Sequence, residues 1–70
     1  MRIEVLTAVL HKEDDLCVAE CPEVGTVSQG YSVEEAVANL KEATELYLEE
    51  FALDHVTRPL LTTFEVAVNA

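Results

Sequence analysis

Seventy residues make one domain with a small core, because a chain of this length buries only about 60 % of the surface it exposes when unfolded. Fourteen acidic residues against four basic ones leave a net charge of −10, which excludes the Lys/Arg clusters that direct nucleic-acid binding and anionic-membrane binding require. Half the residues are hydrophobic and the two cysteines form no disulfide framework, so oligomerisation is the expected extra source of stability.

The chain opens on Met1-Arg2-Ile3-Glu4, which is not a signal-peptide pattern, and no stretch approaches the roughly 20 apolar residues of a membrane helix. Free thiols without an export signal predict a cytoplasmic protein. Residues 3–10 read as the first strand. Ile3, Val5, Thr7 and Val9 share one face and Glu4, Leu6, Ala8 and Leu10 the other, so both faces are largely apolar. One face can be covered by a helix; the second needs another layer, which again predicts an oligomer. Residues 11–15, His-Lys-Glu-Asp-Asp, form a polar turn, and residues 16–21 complete a hairpin. Pro22-Glu23-Val24-Gly25 breaks the second strand, since proline cannot donate to a ladder and glycine opens unusual backbone angles. Residues 26–30 are a short third strand, polar enough to lie at a sheet edge.

The dominant element is a helix from residue 32 to about residue 51. Ser32-Val33-Glu34-Glu35 has the capping-box pattern, with Ser32 accepting from the Glu35 amide and the Glu35 carboxylate reaching back to the Ser32 amide. Glu34 and Glu35 also suit the positive end of the helix dipole. Gly30 allows a sharp entry. Val33, Ala36, Val37, Leu40, Ala43, Tyr47, Leu48 and Phe51, with Thr44 inside the stripe, recur at helical spacing, and glutamates dominate the opposite face. Residues 52–58 connect to a last strand at residues 60–68. There Leu60, Thr62, Phe64, Val66 and Val68 share one face and Leu61, Thr63, Glu65 and Ala67 the other. The order is strand, strand, strand, helix, strand: an α+β layer with the helix on one sheet face.

No residue pattern points to catalysis, a cofactor or a metal. Cys17 and Cys21 face one way on a strand but lie about 13 Å apart, too far for a disulfide or a shared zinc, and read as buried small hydrophobes. His11 and His55 fall alone in connections. Glu13, Asp14 and Asp15 form a solvated loop tip without the alternating ligands and central glycine of a calcium loop. Phosphate loops, nucleophile elbows and HExxH helices are absent. Glu42, Glu45 and Glu49 align at three-four spacing, where like charges repel by a few tenths of a kcal/mol per pair, an arrangement compatible with a cationic partner.

Taken in order, Ala8-Val9-Leu10, Glu13-Asp14-Asp15, Glu20-Cys21-Pro22-Glu23, Val27-Ser28-Gln29-Gly30, Ser32-Val33-Glu34-Glu35-Ala36 and Asn39-Leu40-Lys41-Glu42-Ala43 resemble the HicB family of antitoxins. The match runs over more than half the chain, from residue 8 to about residue 50. The resemblance implies three antiparallel strands, a helix and a further strand in a partial ribonuclease H-like fold. It also implies a non-catalytic protein that binds and occludes HicA, a small basic RNA-cleaving toxin of double-stranded-RNA-binding-domain type. Longer members carry a C-terminal helix-turn-helix or ribbon-helix-helix domain that binds DNA. This chain is expected to be the HicB-like domain alone, residues 1–70, so operator binding is not carried over. Ribonuclease chemistry is not implied either, because it needs carboxylates converging on metal ions, whereas the first strand offers only Glu4 and positions 28 and 29 are Ser and Gln.

The residues expected to meet the basic partner are Glu23, Glu34, Glu42, Glu45 and Glu49. The oligomer interface is expected on Leu60, Thr62, Phe64, Val66 and Val68, together with the second face of residues 3–10. The alternative is a stand-alone oligomeric scaffold or regulator with no toxin.

Overall fold

A computed structural model describes residues 2–53 and 56–69 of the chain. It contains β1 (Val9–Glu13), β2 (Leu16–Cys21), β3 (Thr26–Gly30) and α1 (Val33–Glu50). The three strands form one antiparallel sheet in the order β1-β2-β3, with the helix over β2 and β3. This is the expected α+β arrangement of three antiparallel strands and one helix.

Hairpin geometry fixes the register. The β1–β2 turn centres on Asp14 and Asp15, with Asp14 at φ 56°, a left-handed conformation that Asp tolerates better than most residues. Glu13 then faces Leu16, and Val9 faces Glu20. Residues 11–13, expected in the polar turn, therefore extend β1. Residues 3–8, expected in the strand, run past the end of β2, where Pro22 stops the ladder. The second turn closes through the Gly25 amide, which donates to the Cys21 carbonyl at 2.7 Å, with Gly25 at φ 92°. Cys17 pairs with Gly30 and Cys21 with Thr26, so β3 lies at a sheet edge as its polar composition implies.

Alternation along β2 turns Cys17, Ala19 and Cys21 toward the helix, and all three are buried with Ala36 and Leu40 of α1. Leu6, Ala8, Leu10 and Val24 pack around this nucleus. Thr44, the buried polar residue of the stripe, shares a 2.6 Å hydrogen bond between its hydroxyl and that of Thr26. Asn39 donates to the Gln29 carbonyl at 2.8 Å and fastens the helix to β3 from the other side.

The helix entry follows the capping pattern with one change of partner. The Glu35 amide donates to the Ser32 hydroxyl at 3.1 Å, while the Glu35 carboxylate accepts from the Tyr31 amide at 2.8 Å, one residue before the position expected. Gly30 serves a packing purpose: a Cβ there would lie 2.7 Å from the Ala36 amide nitrogen. The helix stops where the Phe51 amide bonds the Tyr47 carbonyl at 3.0 Å and Phe51 turns extended.

The last strand expected at residues 60–68 is not formed: these residues carry no regular secondary structure and join no ladder among the described residues. Leu60 is 94 % exposed and Phe64 85 %. The molecule measures 51 × 27 × 16 Å with a radius of gyration of 14.4 Å, against about 11 Å for a compact domain of this length. His55, expected alone in a connection, lies outside the described residues.

Candidate functional site

Three surface features lie around the helix. The first is a clasp between the β2–β3 turn and the N-terminal segment. The Thr7 amide donates to both Glu23 carboxylate oxygens at 3.1 and 3.0 Å, and the Thr7 hydroxyl donates to Oε2 at 2.7 Å. The Cys21 thiol reaches Oε1 at 3.6 Å. Desolvation acts most strongly on this carboxyl and raises its pKa. The Thr7 hydroxyl, the Glu23 and Thr7 amides and the Cys21 thiol together outweigh it, so the pKa lies below the ordinary value. Glu23, expected as a free partner contact, already has its charge engaged within the molecule.

The second feature is the acidic helix face. Glu34, Glu42, Glu45 and Glu49 are exposed, as solvent-facing positions of the stripe pattern require. Glu45 pairs with Lys41 one turn earlier at 3.2 Å. Glu34 and Glu35 occupy the first turn, and the last turn holds no basic residue, so negative charge extends to the end that already carries the negative pole of the helix dipole. Beside this end Tyr47 and Phe51 stack with ring centroids 4.6 Å apart, and both remain substantially exposed.

The third feature is a groove of about 680 Å³ between α1 and the N-terminal segment. Val37, Leu40, Thr44 and Leu48 line its helix wall, and Leu6 and Ala8 the facing wall. It exists because α1 covers β2 and β3, leaving the other flank of the apolar stripe uncovered; Val37 stays 37 % exposed. Its charges are balanced by an Arg2–Glu4 pair at 2.9 Å and by Lys41–Glu45. The chain after the helix passes the same segment, with Arg2 donating to the Leu53 carbonyl at 3.4 Å and Arg58 to the Val5 carbonyl.

Sequence reasoning missed Thr7 and the groove. The signal for Thr7 was its place as the lone polar residue in Val5-Leu6-Thr7-Ala8-Val9-Leu10. Cys17 and Cys21 are buried free thiols, and His11 is exposed beside Glu13 at 3.2 Å. Among the described residues no group of three His, Cys, Asp or Glu side chains is placed to hold a metal ion. No helix there is long and apolar enough to cross a membrane.

A UPF0150 protein from Helicobacter pylori (strain J99) is 43 % identical over 53 residues, covering 74 % of this chain and 74 % of the relative. The chain belongs to the UPF0150 family. UPF0150 proteins are the HicB-like family, in agreement with the motifs between residues 8 and 50. No family model and no solved structure matches the chain. What the UPF0150 membership carries directly is kinship. The chemistry must be read from the clasp, the acidic face and the groove.

Proposed function

We propose that this UPF0150 protein is a non-catalytic, HicB-like antitoxin that binds a small basic HicA-type ribonuclease and inhibits it by occlusion. The observation that carries this reading is the acidic helix face: Glu34, Glu42 and Glu49 stand exposed on a molecule of net charge −10, beside an exposed aromatic pair. Such a face attracts and orients a cationic protein. Glu34, Glu42, Glu45 and Glu49 supply the electrostatic contacts, and Glu23 acts indirectly by holding the turn and the N-terminal segment together. In the same reading the domain is a partial ribonuclease H-like fold completed by a further strand, acts in the cytoplasm without a cofactor, and assembles as a dimer or larger oligomer through Leu60, Thr62, Phe64, Val66 and Val68. Exposure of these five residues in the single chain supports that assembly.

The test is co-expression with the protein of the adjacent reading frame, followed by mass determination and a ribonuclease assay. A stable complex with silenced ribonuclease activity is the expected result. Changing Glu42, Glu45 and Glu49 together to Lys should weaken the complex at least tenfold and flatten its salt dependence. Unchanged affinity would remove the helix face from the interface. The exposed apolar arm at residues 60–69 also favours a second reading, a stand-alone oligomeric scaffold or regulator. A homo-oligomer that ignores its neighbour would decide for it.

A further inference from the structure

The groove and the 60–69 arm are two apolar surfaces that one copy leaves open. The sheet ends at β1, yet the preceding residues line the groove, and among the described residues the backbone of residues 3–8 joins no ladder. The arm at residues 60–69 is likewise unpaired among the described residues. As a strand, at about 3.3 Å per residue, it would span about 30 Å, longer than the roughly 20 Å of residues 3–8 and comparable with the helix wall. Its alternation suits an edge strand on a helix layer. Leu60, Phe64, Val66 and Val68 form one face, interrupted only by Thr62, while Glu65 points to the other.

Among the described residues no hydrogen bond joins the two. Leu53 and Arg58 touch the N-terminal segment through the Arg2–Leu53 and Arg58–Val5 contacts, and beyond Pro59 every described residue is exposed. We infer that the 60–69 arm of one copy docks as an added strand in the groove of a second copy, which returns its own arm to the first. Charge favours a second copy over a foreign protein. The groove charges are internally paired and the arm carries a single carboxylate, Glu65, so two strongly acidic copies meet where repulsion is least. A basic foreign partner is drawn to the acidic helix face instead. Reciprocal exchange is closed by symmetry and leaves no arm free. The inference rests on the oligomeric part of the proposed function and is independent of the toxin.

Light scattering on the full chain should give twice the 7.7 kDa chain mass. Chains carrying Phe64→Cys, refolded with chains carrying Val37→Cys or Leu48→Cys and oxidised, should give disulfide dimers joining the two different chains, well above the background of the wild-type protein. Cross-linking of Phe64→Cys chains only to one another would place arm against arm and overturn the exchange. So would a disulfide closed within one chain that carries both substitutions, at single-chain mass. A dimer without the cross-chain disulfide overturns the exchange and leaves the oligomeric reading standing, whereas a monomer overturns both. Deleting residues 60–70 should abolish the dimer. A deletion variant that still dimerises would also overturn the inference.

Discussion

Glu23 is held by Thr7, sixteen positions earlier in the chain, and that return contact governs its titration. Its folded pKa lies below its unfolded one. The associated stability is therefore fully present above the unfolded value and is lost as pH falls through the folded value. Glu23→Gln should accordingly destabilise the protein at neutral pH and flatten the loss of stability on acidification. Urea midpoints of variant and wild type should converge at low pH, and curves separated by a constant gap would refute the clasp as the cause. A second residue-scale prediction concerns Gly30. A methyl group there meets the helix backbone at the Ala36 amide, so Gly30→Ala should cost about 1–3 kcal/mol in urea unfolding. The burial of Cys17 and Cys21 was legible from a four-residue spacing on one strand face. The engagement of Glu23 was not, because spacing within a strand says nothing of which distant loop folds onto it.

Among the elements, the helix was the most legible. An uninterrupted 3.6-residue period, a serine cap and glutamates in the first turn all specify one structure independently. Ser32→Ala should lower stability by about 1 kcal/mol, read as a shift in the urea midpoint, since the Glu35 amide then loses its acceptor. The strands were less legible. Residues 3–8 are the most apolar run near the start of the chain, yet the ladder lies at β1, because strand pairing is decided by the Asp14-Asp15 turn and the Pro22 stop rather than by hydrophobicity. Apolar alternation reports burial that must occur somewhere and does not name the covering surface. The same reason explains residues 60–68: their alternation predicted a strand, yet among the described residues they join no ladder, because alternation names no pairing edge.

For the whole molecule, the core of one copy is small. Cys17, Ala19, Cys21, Ala36 and Leu40 are its buried apolar residues among those described, and two of the five are alanines. A nucleus of this size leaves little margin against conformational entropy. Burying the arm and the groove would enlarge it, so folding and assembly should be coupled and the thermal midpoint should rise with protein concentration. Phe64→Glu places a charge on the apolar face of the arm and should abolish that concentration dependence, giving a monomer or an unfolded chain. A folded variant with unchanged mass would move the interface elsewhere.

The helix whose last turn holds no basic residue has one more effect, on the ionic atmosphere around the protein. Glu49 and Glu50 sit at its negative pole, on a chain with fourteen acids and four bases, so the folded state gathers cations around that end. Added salt screens this self-repulsion over a Debye length of about 10 Å at 0.1 M. Potassium chloride should therefore stabilise the protein alone while loosening the proposed complex with a basic partner. The same ions would act with opposite sign on folding and on inhibition, making the complex most secure where its acidic member is least stable by itself.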